Sequence, residues 1–333
     1  MTSVLAFLDI PATVGGLPKT AAETITFARG IAESLQCTTE VVVVDIAGEQ
    51  ISDAVVAELA DYGVACIHRV LDTSLDNYPP AGWAGAIAGV IAAVEPKVVV
   101  GPATDRGAEV MAHVAAELDL PLAAQCVEVT PSSEATWQIT RLRWGGVLLE
   151  DAELTAPIAL LTVAPHHIVP LHAAEPAEAV VVDTPVAIDD GALVGAVSEV
   201  MTRDDGVSLA TADVVVSGGR GVGSAEGFAV LEELAALLGG AVGCSRVATN
   251  NGWRSHNDQV GQTGTRVAPD LYIACGISGA TQHWVGCMNA KSILAINTDA
   301  EAPMVTRANY AVLGDLHDIL PAVVAEVHRR QGA

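Results

Sequence analysis

The feature that most constrains this chain is the alternation of short apolar runs with longer amphipathic runs through its first half. Residues 4–10 predict a strand, residues 20–35 a helix and residues 40–46 a second strand, from the spacing of their apolar side chains. The alternation continues through predicted helix 52–62, strand 65–71, helix 83–94, strand 98–101 and helix 105–118. Strands that alternate with helices of this length form right-handed crossovers, so the pattern predicts an α/β fold with a parallel sheet.

The pattern changes between residues 123 and 164, where short β-prone pieces are separated by turn residues. Such pieces are typical of neighbouring strands that pair directly, and they predict an antiparallel or mixed extension of the same sheet. Residues 1–165 are therefore predicted to form an N-terminal α/β domain with a parallel or mixed sheet.

A chain of 333 residues is too long for a single ordinary core, and its second half predicts another domain. Residues 166–207 are rich in proline and acidic side chains without a sustained period, which predicts a linker arm. Residues 208–333 return to strand–turn–helix units and predict a smaller, doubly wound domain. Ala, Val, Leu and Ile supply most of the 51% hydrophobic content, which suits parallel sheets buried on both faces.

The charge of the chain excludes several classes of partner. The sequence carries 40 acidic and 16 basic side chains, a formal net charge of −24. Nucleic-acid affinity comes mainly from Lys and Arg at phosphates, so a nucleic-acid partner is excluded, and an anionic membrane surface is disfavoured. The longest uncharged apolar stretch, residues 81–94, is shorter than a membrane span. With no basic leader at its start, the sequence predicts a cytoplasmic protein without a transmembrane segment.

The cysteine and histidine positions predict neither a disulfide framework nor a metal site. The six cysteines stand singly among small apolar residues, which predicts reduced and buried thiols. His166, His167 and His172 lie in the predicted arm, but no carboxylate or cysteine has a matching ligand spacing. They are interpreted as solvated or linker histidines.

A glycine-rich turn follows the first apolar run of the second domain. Residues 214–223 read VVVSGGRGVG, a buried strand that runs into glycines and then into a helix predicted from Ala225. Glycines allow the backbone to approach a phosphate closely, and Arg220 adds a fixed positive charge. The spacing Gly221-x-Gly223-x-x-x-Gly227 is one residue longer than the dinucleotide fingerprint, so this turn alone equally fits a tight strand–helix connection.

A second turn of the same type occupies residues 273–283, IACGISGATQH, where Ser278 and Gln282 add side-chain donors. Two such turns at the carboxyl ends of parallel strands suit a dinucleotide that lies across a switch point of the sheet. Asn297 and Asp315 follow later predicted strands, where they would meet a nucleoside.

Five segments together resemble the electron transfer flavoprotein alpha subunit in order and spacing. They are SGGRGVGSAEGF, GCSRVATNNGW, DQVGQTG, LYIACGISGATQHWVGCMNAKSILAINTDAEAPM and ANYAVLGDL. The resemblance is dense over the C-terminal domain and thinner in the first half, where VVVGPATDRGAEVMAHVAAELDLPLA and RLRWGGVLLE fit the family's N-terminal domain. Linked motifs of this kind are more specific than any one of them.

The resemblance implies a heterodimer in which this chain holds FAD and a beta subunit closes over it. Electrons would pass from a dehydrogenase, such as an acyl-CoA dehydrogenase of fatty acid β-oxidation, to a downstream oxidoreductase. The positions that match FAD contacts of the family are Arg220, Ser245, Arg246, Val260, Gly261, Gln262, Thr263, Ser278, Gly279, Ala280, Thr281, Gln282, His283, Asn297, Asp315 and Leu316.

The resemblance also implies three flavin-tuning residues: Arg246 beside the isoalloxazine ring, Thr263 near N5 and His283 near O2. A cation or donor near the N1–C2=O edge stabilises the negative charge of a reduced flavin, and Arg246 and His283 are expected to supply that field. The chain departs from the family pattern at three places, which bear on fine tuning and on the partner surface. They are Asn250 in place of an acidic residue, Thr298 in place of a common lysine, and Val222-Gly223 in place of a longer pair.

Two other classes of function remain open from the residues alone. An NAD(P)-dependent dehydrogenase would carry an acidic ribose ligand about 20 residues beyond the glycines, and Glu232 and Glu233 come too early for that role. A non-redox nucleotide-binding or assembly module would need no flavin. A visible spectrum distinguishes them, because only a flavoprotein is yellow. The sequence also leaves open whether the carrier bifurcates electrons, since that depends on the beta subunit.

Overall fold

A computed structural model describes residues 3–10, 16–46, 51–133, 135–195 and 208–332. The chain divides into two compact units, Met1–Met201 and Thr202–Ala333. The last part of the predicted arm, residues 196–207, lies outside the described residues. No helix of the described part is long and apolar enough to cross a membrane.

The first unit is built on one mixed sheet. Its strands within the described residues are β1 (Ser3–Phe7), β2 (Thr38–Val44), β3 (Val64–Val70), β4 (Val98–Pro102), β5 (Leu122–Pro131), β6 (Thr136–Arg143), β7 (Leu148–Thr155), β8 (Ala159–Val163) and β9 (Val180–Asp183). Their order is β7-β6-β5-β8-β4-β1-β2-β3-β9. All neighbours pair in parallel except β5 with β6 and β6 with β7, which are antiparallel. The predicted parallel sheet with a mixed extension is therefore confirmed.

Helices cover both faces of this sheet, which is why β1, β4 and β8 are buried along their whole length. Helices α1 (Lys19–Leu35) and α2 (Asp53–Asp61) pack on one face, and α3 (Pro80–Val94) and α4 (Asp105–Glu117) on the other. The Thr104 hydroxyl caps α4 by accepting a hydrogen bond from the Gly107 N–H at 3.1 Å. Such a cap satisfies an N–H group that the first turn of a helix leaves free.

Part of the predicted arm belongs to the first unit. Strand β9 pairs in parallel with β3, and its pairing adds an edge to the sheet. His166 is not solvated, because its backbone N–H donates to the buried Glu23 carboxylate at 3.0 Å. Burial lowers the pKa of His166 to about 4. Of the two interpretations, the solvated one does not hold for His166, whose side chain is 16% exposed because this part of the arm folds back onto α1.

The second unit is a parallel sheet of five described strands. They are β10 (Val214–Gly218), β11 (Ala241–Cys244), β12 (Leu271–Cys275), β13 (Ser292–Asn297) and β14 (Tyr310–Leu313). Their order is β11-β10-β12-β13-β14, so the chain moves first to one side of β10 and then to the other. This is a doubly wound order, with its switch point between β10 and β12. The predicted doubly wound C-terminal fold is confirmed.

Helices cover both faces of this second sheet. The helices are α5 (Ala229–Leu237), α6 (Arg246–Asn250), α7 (Thr281–Cys287), α8 (Pro303–Arg307) and α9 (Leu316–Gln331). Helices α5 and α9 share one core on one face of the sheet, through Leu231, Leu234 and Leu320. The helix predicted from Ala225 starts instead with a 3-10 turn, Glu226–Phe228, before α5 begins.

The turns that follow β10 and β12 are in direct backbone contact. The Gly219 N–H donates to the Cys275 carbonyl at 2.9 Å, and the Gly221 N–H donates to the Gly276 carbonyl at 3.1 Å. Gly276 has φ +61°, and a Cβ atom on it would lie 2.7 Å from the Gly221 Cα atom. Only glycine fits at this contact, because a side chain would push the two turns apart.

We expect Gly276→Ala to destabilise the protein by about 2 kcal/mol more than Gly239→Ala, because overpacking adds to backbone strain. Gly239 is a matched control, since its φ of +63° is similar but nothing lies within 4 Å of its Cβ position. Urea unfolding of the two variants measures the difference. Equal losses of unfolding free energy would mean that the two turns separate without cost.

Candidate functional site

The predicted site residues lie in the segments that follow the strands of the second sheet. Arg220 follows β10, Ser245 and Arg246 follow β11, and Asn297 ends β13. The carboxyl ends of parallel strands meet at one edge of a sheet, and open α/β sheets bind their ligands at that edge beside the switch point. The remaining predicted residues follow β12 or β14 or lie in the loop between β11 and β12, and they are Val260, Gly261, Gln262, Thr263, Ser278, Gly279, Ala280, Thr281, Gln282, His283, Asp315 and Leu316.

Two arginines at this edge have no acidic partner within the described part of the chain. Arg220 begins the 3-10 turn Arg220–Val222, and Arg246 is the first residue of α6; both are exposed. Neither forms an ion pair with another described residue, although the chain has 40 acidic side chains. Unpaired guanidinium groups beside glycine turns are suited to an anionic ligand, because they offer fixed charge and planar donor groups.

Ser245 has a buried hydroxyl that lacks a hydrogen-bond partner. Its backbone N–H donates to the Gly218 carbonyl at 2.9 Å, which holds it against the end of β10. The side chain is buried, and its Oγ atom contacts no donor or acceptor among the described residues. Buried polar groups are nearly always paired in native proteins, so this hydroxyl fits a site that a polar ligand completes.

The loop between β11 and β12 is fastened to α7 and to the end of β11. The Val260 N–H donates to the Cys244 carbonyl at 2.9 Å, and the Gln262 N–H donates to the Gln282 carbonyl at 2.7 Å. These two bonds bring the predicted residues of the loop beside the predicted residues of the second glycine turn. Gly261 lies at the contact, where its Cβ position would be 2.9 Å from the Gln282 carbonyl oxygen.

Thr263 is exposed, but its hydroxyl oxygen is held in place. It accepts a hydrogen bond from the side-chain Nε2 of Gln259 at 3.0 Å. The side-chain Oε1 of Gln259 in turn accepts one from the Thr249 hydroxyl at 3.0 Å. Gln259 is 5% exposed, so this chain of bonds lies largely out of water. The sequence did not single out Gln259, because a polar residue before a glycine loop carries no specific signal.

The second glycine turn connects β12 to α7 and rests on α8. Ser278, Ala280, Thr281 and Gln282 are exposed at this turn. The Ser278 carbonyl accepts a hydrogen bond from the Met304 N–H at 3.1 Å, at the start of α8. The backbone of the turn is therefore fixed while its polar side chains remain available to a ligand.

His283 is buried against Tyr272. The Tyr272 hydroxyl lies 2.8 Å from the His283 Nε2 atom, and both side chains are at least nine-tenths buried. Burial lowers the pKa of His283 to about 4, an effect that the Val260 backbone opposes, and burial raises the pKa of Tyr272 well above its ordinary value. Both groups are therefore neutral, and the tautomer of the ring decides which of them donates. Because Nε2 faces Tyr272, the hydrogen bond of the ring to the Val260 backbone favours the proton on Nδ1, with the phenol as donor to Nε2.

This arrangement makes His283 a neutral imidazole with its proton on Nδ1. The Nδ1 atom is buried and has no hydrogen-bond partner of standard geometry among the described residues. Burial favours the uncharged ring, so of the two expected kinds of group, cation or donor, His283 is suited to be the donor. What the ring offers is one N–H donor in a fixed orientation. Tyr272 was missed in the sequence because it lies within an apolar strand and looks like a core residue.

Asn297, Asp315 and Leu316 support the edge of the sheet more than they line it. The Asn297 amide donates to the Ile277 carbonyl at 3.0 Å, and its side-chain oxygen accepts from the Asp299 N–H at 3.1 Å. One Asp315 carboxylate oxygen caps α9 by accepting from the His317 N–H at 2.9 Å. Leu316 is buried and packs against Gly276. Of these three, exposed Asp315 has a second carboxylate oxygen left for a ligand.

The residues present fit an anionic nucleotide with a polar ring system. The fit rests on the Ser245 hydroxyl and the two arginines, none of which has a polar or acidic partner among the described residues. A glycine contact that no side chain can fill lies between them, at the switch point.

Comparisons with known proteins agree with this geometry. Residues 208–288 match the electron transfer flavoprotein FAD-binding domain, which covers β10, the loop before β12 and the second glycine turn. Residues 11–189 match the electron transfer flavoprotein domain, which corresponds to the mixed sheet of the first unit. The two matches together extend over most of the chain.

Individual relatives can be aligned with most of the chain's length. An electron transfer flavoprotein subunit alpha of Mycobacterium leprae is 34% identical over 98% of this chain and 99% of its own length. The subunit of the same name from Bacillus subtilis is 36% identical over 84% of this chain and 85% of its own. Protein FixB of Bradyrhizobium diazoefficiens is 35% identical over 91% and 82%. The chain belongs to the electron transfer flavoprotein alpha subunit family, and its cofactor is FAD.

Proposed function

We propose that this chain is the alpha subunit of a heterodimeric electron carrier, in which it holds FAD and a beta subunit covers the site. The observation that carries the proposal is the sheet edge where two glycine turns touch and where Arg220 and Arg246 have no acidic partner among the residues that the structure describes. Bound FAD supplies transfer of one or two electrons at the isoalloxazine ring. The residues of this chain bind the cofactor, orient it and set the field around it.

The binding roles divide by chemistry. Arg220 and the exposed polar side chains at Ser278 and Gln282 are suited to the pyrophosphate, because they add charge and donors beside fixed glycine turns. Asp315 is suited to the hydroxyl groups at the adenosine end, since its free carboxylate oxygen is an acceptor. Ser245 gains the partner that its buried hydroxyl lacks.

The tuning roles fall to one charge and two fixed hydrogen-bonding groups. Arg246 is permanently charged, and a guanidinium near the ring favours the more negative, reduced cofactor and so raises its potential. His283 offers a neutral Nδ1–H whose orientation is set by Tyr272. The hydroxyl of Thr263, which Gln259 holds, can donate or accept near the ring.

We also propose the direction of electron flow: from a dehydrogenase, such as an acyl-CoA dehydrogenase of fatty acid β-oxidation, to a downstream oxidoreductase. The family membership supports a carrier over an NAD-dependent dehydrogenase. The position after β11 supports it too, because Ser245 and Arg246 stand where an NAD site would place an acidic ribose ligand.

Co-expression with the beta subunit tests the proposal. We expect a yellow heterodimer with one FAD, because the adenosine end is needed to reach the edge near Asp315. Acid-released flavin is identified by chromatography, and reduction by an acyl-CoA dehydrogenase with its substrate is followed in the visible spectrum.

We expect the isolated chain to melt at a lower temperature than the heterodimer, since a ligand bound only by the assembly stabilises it. The proposal would be contradicted by FMN as the main flavin. It would also be contradicted if the isolated chain melted at the same temperature as the heterodimer, both with and without FAD.

Arg246→Ala is expected to lower the potential of the bound cofactor, on the order of 59 mV for each 1.4 kcal/mol of lost attraction. Arg246→Lys is expected to lower it less, because the charge remains although the planar fork is lost. Spectroelectrochemical titration of the flavin-loaded heterodimers measures both changes.

The matched control for this prediction is Arg329→Ala, which removes an equal charge from the same unit near the end of α9, where Arg329 pairs with Glu326. Its potential should equal that of the unsubstituted heterodimer. A potential that is unchanged in Arg246→Ala, or equally lowered in the control, would mean that Arg246 is not the tuning cation.

His283 is expected to stay neutral through the physiological range and to titrate with a pKa of about 4. Because its ordinary pKa is about 6.5, the unfolded chain takes up this proton first, so stability is lost as the pH falls from about 6.5 to about 4. Nitrogen-15 NMR of histidine-labelled protein reports both the titration and the tautomer.

The same spectra test the role of Tyr272. We expect the Nδ1–H tautomer in the unsubstituted protein and a mixture of tautomers in Tyr272→Phe, which removes the donor to Nε2. A His283 signal that titrates near 6.5, or an Nε2–H tautomer before substitution, would contradict the neutral-donor role.

A further inference from the structure

A second cluster of chemically active side chains lies in the first unit, on the mixed sheet. Glu40 on β2 and Cys66 and His68 on β3 each offer one ligand atom, and these three atoms lie within 4.8 Å of one another. Glu40 is opposite Cys66 in the parallel register. His68 is two residues further along β3, so its side chain emerges on the same face.

The cluster is half-buried and rests on rigid elements. The side chains of His68 and Glu40 are 12% and 17% exposed, and Cys66 is also half-buried. Each of the two strands is hydrogen-bonded on both sides. Strand β2 pairs with β1 and β3, and strand β3 pairs with β2 and β9. Three donors on such a framework are preorganised, because little conformational entropy remains to be lost when they bind an ion.

Both ring nitrogens of His68 have a hydrogen-bonding partner, Thr184 at Nδ1 and Glu40 at Nε2. The Thr184 hydroxyl donates to the Val182 carbonyl at 3.4 Å, so its oxygen can accept from the His68 Nδ1–H, also at 3.4 Å. The Nε2 atom lies 2.7 Å from the Glu40 Oε2 atom, and this hydrogen bond from His68 lowers the pKa of Glu40, so a proton lies between the two atoms. A metal ion that uses Nε2 and Oε2 as ligands replaces that proton.

We propose that Glu40, Cys66 and His68 form a binding site for a zinc-like divalent cation that ties β2 to β3. One carboxylate oxygen, one thiolate sulfur and one imidazole nitrogen are the ligand types that Zn²⁺ combines in proteins, with water in the fourth position. When the ion binds, the Cys66 thiol loses its proton and any proton held between Nε2 and Oε2 leaves, and both are released to solvent. No electron is transferred.

The distances suit this ion after small side-chain movements. Bonds of about 2.0–2.3 Å to a tetrahedral ion place its ligand atoms about 3.3–3.7 Å apart. The observed Nε2–Oε2 distance of 2.7 Å must lengthen by about 0.6 Å. Rotation of the long Glu40 side chain can lengthen the Nε2–Oε2 distance by this amount. The Cys66 sulfur lies within 4.8 Å of both other ligand atoms, so any inward movement that it needs is small.

The surrounding residues support metal binding. When Nε2 binds a metal ion, the Thr184 hydroxyl oxygen can accept from the His68 Nδ1–H, as the outer partners of metal-bound histidines do. The Thr38 hydroxyl donates to the other Glu40 oxygen at 3.3 Å. The net charge of −24 also raises the local concentration of cations around the chain.

Equilibrium dialysis of the full-length, FAD-loaded protein against Zn²⁺ tests the proposal, with bound zinc counted by mass spectrometry. We expect one zinc that Cys66→Ser, His68→Gln and Glu40→Gln each weaken by at least tenfold. Thr184→Val is expected to weaken it about tenfold, as loss of an outer partner does. Co²⁺ provides a second probe, because a cobalt–thiolate bond gives a charge-transfer band, and the spectrum before addition subtracts the flavin.

Cys37→Ser is the matched control. Cys37 is also half-exposed and lies just before β2, but it packs against the core of the opposite face. The cobalt band should persist in Cys37→Ser and disappear in Cys66→Ser, while metal-free melting temperatures remain similar. Absence of the band, its loss in Cys37→Ser, or equal zinc binding by Cys66→Ser would overturn the proposal.

Discussion

The contact between the turns after β10 and β12 is the constraint on which the second unit depends. Hydrogen bonds from Gly219 and Gly221 join the two turns without any side chain between them. Because both strands belong to one parallel sheet, this contact fixes the switch point, and the arginines and polar side chains of the site are arranged around it. Leu316 packs beneath Gly276, so the end of the sheet and helix α9 are joined to the same contact.

Periodicity in the sequence predicted most of the fold, because each strand and helix of the first half has its own apolar pattern. Helix 20–35, for instance, is observed as Lys19–Leu35, and strand 65–71 as Val64–Val70. Strand β9 was absorbed into the predicted arm because it has only four residues between proline-rich segments. Its pairing with β3 depends on tertiary contact, which a local pattern does not encode.

The candidate site was predicted from motifs, and its supporting residues were not. The turn residues have a recognisable spacing. Tyr272 and Gln259 instead act through hydrogen bonds to His283 and Thr263, and no motif marks those contacts in the sequence. The sequence gives the place of His283 at a helix start but not its burial, so it does not decide whether the ring acts as a cation or as a neutral donor. The Glu40, Cys66 and His68 cluster escaped for a related reason, since its ligands come from two strands and show no short spacing.

Arg246 is exposed to solvent, and this exposure gives a second subunit a physical role in the proposed function. Two charges 4 Å apart interact by about 1 kcal/mol in water and by about 4 kcal/mol at the lower effective dielectric of a protein surface. Arg246 is exposed in this chain, so its field on a nearby cofactor would be weakened by solvent. A partner that covers the edge would exclude that water and strengthen the same charge several-fold. The beta subunit would then contribute to the potential without adding a cation of its own, and His283, already buried, would change little.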